Sequence, residues 1–227
     1  MKELHFLKTR LIAHRGIYDN KRIYENTISA IQRAIKHQYI IEFDVRLLSD
    51  GTCVVFHDQN MERLLHVEGN IERITYDELC YIAKYQVPTL EEVLDLVAGS
   101  VPVLIDLKTI TSKRLLEKKV AIILDEYKGD FAVQSFHIRT LKWFYKNRPN
   151  YITGYLINRK NLTKNYFFKK YDFVNINIKL LSDRRVKKLK EDKMVIGYTI
   201  NTKEEYALKQ NIYDNLVCNN ILEIDPE

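Results

Sequence analysis

The fold this sequence predicts is α/β, a (β/α)8 TIM barrel with a short helical insertion after its second strand, on three observations. Short apolar runs suited to buried strands recur eight times. Between most of them lies a stretch with the apolar period of an amphipathic helix. The run Ile40–Val45 is nearly apolar throughout, which is how a strand covered on both faces reads. Strand and helix in alternation argue for a parallel sheet, and eight units in 227 residues argue for a closed barrel.

In chain order the predicted strands are Leu11–Ala13, Ile40–Val45, Val101–Leu107, Phe131–Gln134, Ile152–Leu156, Phe173–Ile176, Met194–Thr199 and Leu216–Cys218. The helical patterns are Thr27–His37, Leu90–Val97, Arg114–Tyr127, Ile138–Asn147, Ser182–Lys190 and Thr202–Gln210. After the second strand, Asp50-Gly51 stands between two alternating apolar runs and predicts a two-residue hairpin turn, a conformation that needs positive φ at both central positions. A turn centred there makes paired residue numbers sum to 101 and sets Asp44 opposite His57. Glu42 and Asp44 share one strand face by the period of two. Carboxylates in a strand this apolar need a partner or a metal, so two carboxylates and an imidazole converging on one spot predict a hard-metal site with an acid/base group beside it.

The roughly 45 residues between the hairpin and the third strand exceed one βα connection. Thr75 followed by Glu78, and Thr89 followed by Glu92, have the spacing of capping boxes. Residues of about 59–88 are therefore expected to form a helical insertion over the second loop, within a single domain spanning 1–227; no linker or repeat interrupts it.

Composition bounds the partners. Hydrophobic content of 46% and charged content of 29% describe a globule that can bury a full core. The net charge of +6 favours anionic ligands, phosphate esters among them. A nucleic-acid partner is not expected, because the run Arg184–Lys190 carries Val186 and Leu189 at helical spacing and reads as a solvated helix face. Cys53, Cys80 and Cys218 form no Cys-x-x-Cys pair, which fits a reducing cytoplasm. Charge interrupts every apolar stretch near the N-terminus, and no run reaches the roughly 18 apolar residues of a membrane span, which leaves only peripheral membrane contact open.

Polar residues end otherwise apolar strands at several places: His14-Arg15-Gly16, Glu42 and Asp44, Asp106-Leu107-Lys108, Gln134-Ser135-Phe136, Tyr198-Thr199-Ile200-Asn201, and Asn219. In a barrel of this kind the carboxyl ends of the strands share one site.

The order and spacing of His14-Arg15-Gly16, Glu25-Asn26-Thr27, Glu42-x-Asp44-Val45, Asp50-Gly51 and Val55-Phe56-His57-Asp58 resemble the signature of the glycerophosphodiester phosphodiesterase family. Weaker echoes extend over almost the whole chain. The resemblance implies metal-dependent cleavage of glycerophosphodiesters to sn-glycerol 3-phosphate and an alcohol, through a cyclic phosphate made by a glycerol hydroxyl and opened by water. It implies catalytic histidines at His14 and His57, metal carboxylates at Glu42, Asp44 and Asp106, and phosphate contacts from Arg15 and Lys108. One divalent cation, Mg²⁺ or Ca²⁺, suits the carboxylate set. The sequence departs from the family pattern with Asp106 in place of Glu, Tyr198 in place of Trp and Asn219 where Asp is common. Two other functions fit the same barrel: a lysophospholipase D or phospholipase C-like lipid phosphodiesterase, and a barrel that binds phosphodiesters without turning them over.

Overall fold

The computed structural model describes residues 2–111, 113–162, 170–180 and 184–225. Its strands are β1 (Ile12–His14), β2 (Ile40–Leu47), β3 (Cys53–Val55), β4 (Val103–Leu107), β5 (Phe131–Ser135), β6 (Ile152–Ile157), β7 (Phe173–Asn177), β8 (Met194–Ile200) and β9 (Asn215–Cys218). Its helices are α1 (Ile28–Lys36), α2 (Glu62–Leu65), α3 (Tyr76–Ile82), α4 (Leu90–Val97), α5 (Leu115–Glu126), α6 (Ile138–Asn147), α7 (Arg184–Asp192), α8 (Lys203–Lys209) and α9 (Ile221–Ile224). All strands but β3 pair in parallel, and β1 bonds to both β9 and β2, which closes an eight-stranded barrel. Every predicted strand and helix has its counterpart, although Ser182, the predicted start of α7, lies outside the described residues.

The period of two divides each strand between two environments. Ile41, Phe43 and Val45 of β2 pack outward with Val93 of α4 and Val120 of α5, in a large core that also takes in Phe144 of α6. Ile12, Ile40, Leu104, Ala132, Phe173, Ile196 and Val217 point inward as an apolar floor, closed below by Leu7 of the 3-10 turn His5–Lys8. Two residues further along the same inward faces come His14, Glu42, Asp106, Gln134, Asn175, Tyr198 and Asn219. The barrel interior is thus apolar at its amino end and polar at its carboxyl end.

The hairpin departs from the expected register. Val45 pairs with Val55, Arg46 with Val54 and Leu47 with Cys53, so partners sum to 100. The turn has three loop residues: Leu48 bonds to Thr52, the Gly51 amide returns to the Leu48 carbonyl, and positive φ falls on Gly51 (+88°) but not on Asp50. This is a turn closed by a glycine bulge, which needs only one left-handed residue where the two-residue turn needs two. Asp44 therefore faces Phe56, whose amide bonds to the Asp44 carbonyl at 2.9 Å. The ladder ends at Val55, and the Arg46 guanidinium donates to the His57 carbonyl at 2.8 Å and holds the chain in its new course.

The insertion has its own core of Met61, Leu64, Leu65, Ile71, Leu79 and Val87, set against Leu48, Val54 and Phe56 of the hairpin. Both expected capping boxes form, Thr75 with Glu78 and Thr89 with Glu92. Glu72 anchors the insertion to the barrel by accepting from Arg46 at 2.6 Å and from Thr109 at 2.8 Å.

Two glycines with similar φ make a test of local packing. A Cβ on Gly51 would meet nothing nearer than the Lys119 side chain at 3.6 Å, whereas one on Gly16 (φ +80°) would lie 2.7 Å from the backbone of Ala30. Gly51→Ala is expected to cost about 1–2 kcal/mol, the left-handed penalty alone. Gly16→Ala is expected to cost more by at least about 1 kcal/mol, since backbone must move. Urea denaturation of both variants measures the difference.

Candidate active site

A cavity of about 180 Å³ opens at the polar end of the barrel, lined by all seven of the residues singled out from the sequence: His14, Arg15, Glu42, Asp44, His57, Asp106 and Lys108. Strand register brings most of them together. His14 of β1 is level with Glu42 of β2, Asp44 with Asp106 of β4, and Asp106 with Gln134 of β5. Arg15 and Lys108 follow the ends of β1 and β4. His57 arrives from outside the barrel strands, on the segment after β3.

Each group has a defined partner. Lys108 Nζ lies 2.6 Å from Asp106 and 3.0 Å from Asp44. Arg15 Nε lies 3.2 Å from Asp44, and Nη1 2.6 Å from Glu25. Asn26 donates to Asp44 at 2.9 Å. The His14 ring places Nδ1 2.6 Å from Asn219 Oδ1 and Nε2 3.9 Å from Glu42. His57 Nδ1 meets Asp58 Oδ1 at 2.5 Å, and the other Asp58 oxygen accepts from Arg63 of the insertion.

Three carboxylates at 1–3% exposure would repel one another in isolation. Burial pushes the Glu42 carboxyl well above the usual range, and Asp44 and Asp106 push it further. Burial likewise raises Asp106 to about 6 against the pull of Lys108. Burial alone would raise Asp44 too, but Lys108 and Arg15 reverse it and hold Asp44 well below the ordinary carboxylate range. Both imidazoles are lowered by burial first; for His14, to about 3, Arg15 adds to the effect.

The residues present fit a hard cation. Glu42, Asp44 and Asp106 can each bring one oxygen within 4.8 Å of the others, and Asp106 Oδ1 is buried with no hydrogen-bond partner. An all-oxygen set of this kind favours a hard cation over softer metals.

Several residues around the cavity were not among those seven. Glu25, only 2% exposed, joins Arg15 to Arg63. Gln134 donates to Glu42 at 3.5 Å and accepts from Asn175 at 3.0 Å. Gln134 and Asn219 stood in the sequence as polar strand ends; Asn175, within an apolar run, is flagged only by the inward phase of β7.

A family model described as "Glycerophosphoryl diester phosphodiesterase family" matches residues 14–221. A glycerophosphodiester phosphodiesterase of Caldanaerobacter subterraneus subsp. tengcongensis is 32% identical over 166 residues, 66% of this chain and 67% of its own. A Bacillus subtilis relative, YhdW, is 30% identical over 220 residues, 88% of this chain and 89% of its own. Among solved structures, a glycerophosphodiester phosphodiesterase of Thermotoga maritima superposes with a TM-score of 0.79 at 25% identity, over 92% of this chain and 94% of that one.

A carboxyl whose folded pKa exceeds its unfolded one costs no stability below the unfolded value, and the cost grows as pH rises past it. In excess chelator, Glu42→Gln is therefore expected to stabilise the protein at pH 8, and to do so less at pH 4. Thermal melts at the two pH values check both the gain and its direction.

Proposed function

The chain belongs to the glycerophosphoryl diester phosphodiesterase family, and from that premise we propose that it hydrolyses glycerophosphodiesters to sn-glycerol 3-phosphate and an alcohol, with one Mg²⁺ or Ca²⁺ held by Glu42, Asp44 and Asp106. The observation that carries this reading is the convergence of two imidazoles, three buried carboxylates and two cations on one small cavity. At about 180 Å³ the cavity is below the roughly 300–1,000 Å³ of pockets for drug-sized ligands. It suits the glycerol phosphate end of a small polar ester and favours that substrate over an enclosed lipid.

Cleaving a phosphodiester requires neutralising the non-bridging oxygens, taking a proton from the attacking oxygen and giving one to the departing alkoxide. Glu42, Asp44 and Asp106 would hold the cation, which would supply positive charge to offset that of the phosphate. Arg15 offers a guanidinium fork and Lys108 a compact ammonium to the phosphate oxygens. Each histidine has Nδ1 engaged, with Asn219 or with Asp58, which leaves Nε2 for proton transfer. The partners differ in charge: Asn219 is neutral, whereas Asp58 is a carboxylate and stabilises an imidazolium. His14 accordingly serves as base toward a glycerol hydroxyl, and His57 as acid toward the leaving alcohol; water then opens the cyclic phosphate with the roles exchanged.

In this reading residues 1–227 act as one domain, with 59–88 inserted beside the mouth. Cytoplasmic residence fits the three unpaired cysteines. Among the described residues, no helix is long and apolar enough to cross a membrane.

Glycerol 3-phosphate release from a panel of glycerophosphodiesters should vanish in excess chelator and return with Mg²⁺ or Ca²⁺; binding of the panel without release would make the chain a binder instead. A nitrophenol leaving group departs without a proton. His57→Ala, down about 10²–10⁴-fold on the alkyl ester, is expected to recover most of that loss on the nitrophenyl ester, while His14→Ala stays impaired on both. Equal losses on both esters would remove the division of labour.

A further inference from the structure

The two ring nitrogens of His14 are not interchangeable, and a chain of side chains at the rim decides between them. Asn201, exposed just after β8, turns its amide nitrogen towards two groups that can only accept: the Thr199 carbonyl at 3.2 Å and the Glu205 carboxylate of α8 at 3.4 Å. Its oxygen must then face Asn219, which donates to it at 2.8 Å. With its nitrogen committed, Asn219 presents its oxygen to His14 Nδ1 at 2.6 Å. Tyr18 points its hydroxyl at the same oxygen from 3.1 Å. Burial pushes that phenol up to about 12, so it remains a donor. A neutral amide oxygen that already receives one hydrogen bond accepts from His14 only if Nδ1 carries the hydrogen.

We propose that Asn219, oriented by Asn201 and Tyr18, is a positioning residue that locks His14 in the Nδ1–H tautomer and so presents the Nε2 lone pair to the cavity. The inference rests on the hydrolase reading for its catalytic consequence, but the tautomer itself does not. The free Nε2 lies on the Glu42 side of the ring, where an attacking hydroxyl would surrender its proton to it. The other tautomer would turn an N–H towards that hydroxyl and leave no base there. A carboxylate at position 219 could hold the same tautomer but would also favour the charged imidazolium; the amide holds the ring without that bias.

The test reads tautomer and rate separately. Ring ¹⁵N shifts of His14, assigned by comparison with His14→Gln, should show Nδ1–H in the unaltered protein with and without Mg²⁺. Asn219→Leu, similar in size but unable to accept, should admit the Nε2–H form and lower kcat by about 10²-fold or more, with KM within about threefold. Asn219→Asp restores an acceptor, so it should restore Nδ1–H and recover at least tenfold in kcat over the leucine variant. Should the leucine variant fail to fold, Asn201→Ala at the exposed rim loosens the same amide, and a measurable Nε2–H fraction is expected there. Unchanged Nδ1–H in the leucine and Asn201→Ala variants, or an aspartate variant no better than leucine, overturns the proposal. Lack of turnover by the unaltered protein would instead refute the hydrolase reading, with the ¹⁵N shifts still deciding what Asn219 does.

Discussion

Three carboxylates buried side by side at the carboxyl end of the barrel are the constraint to which the surrounding structure answers. Glu42, Asp44 and Asp106 sit on two adjacent strands whose register leaves no room to separate them. They are almost wholly buried, and their charge is met by protein groups: Lys108 between Asp44 and Asp106, Arg15 against Asp44, and Asn26 donating to Asp44 from a left-handed backbone position. With all three carboxylates ionised, two cations leave the site one charge short. A divalent ion would turn that deficit into a surplus of one, matched to a phosphodiester monoanion.

The barrel makes this concentration of charge tolerable. The apolar floor below it and the helix-facing core around it immobilise the strands, and close-packed interiors resist the shifts by which repelling groups would otherwise relax. Neutral amides spread the constraint sideways: Asn175 bonds Gln134, which bonds Glu42. Polar groups in such a layer are costly unless nearly all are partnered. Asp106 Oδ1 and Asn175 Oδ1, buried without partners, mark where the protein alone leaves the layer incomplete.

The insertion belongs to the same network. Arg63 spans from Asp58, which holds His57, to Glu25, which holds Arg15. Glu72 locks Arg46, and Arg46 in turn fixes the His57 carbonyl. A segment that adds no barrel strand thus orients one imidazole and, through Glu25, buttresses the Arg15 guanidinium. The two histidines are held by different means, His57 by an ionic chain and His14 by amides.

Much of this was legible in the residues because barrel strands carry a local signal. Continuous apolar runs marked the strands, the inward period put Glu42 beside Asp44, and polar residues at the strand ends marked where a shared site would form. Thr-x-x-Glu spacing located α3 and α4 because a capping box is complete within four residues. The hairpin register differs from the expected one for a physical reason: Asp-Gly permits both a two-residue turn and a three-residue loop with a glycine bulge, and the choice depends on what Leu48, Val54 and Phe56 pack against. His57 reaches the cavity only because the ladder stops at Val55 and Arg46 redirects the chain, neither of which an alternating pattern encodes. The contacts of His14 with Asn219 and of Arg63 with Glu25 join residues 205 and 38 positions apart. Sequence by itself determined the fold class and the chemical types gathered at the strand ends, since both follow from periodicity and composition. Which atoms of those groups meet was decided by barrel closure and by the docking of the insertion, because hydrogen-bond geometry depends on distances that only the folded chain creates.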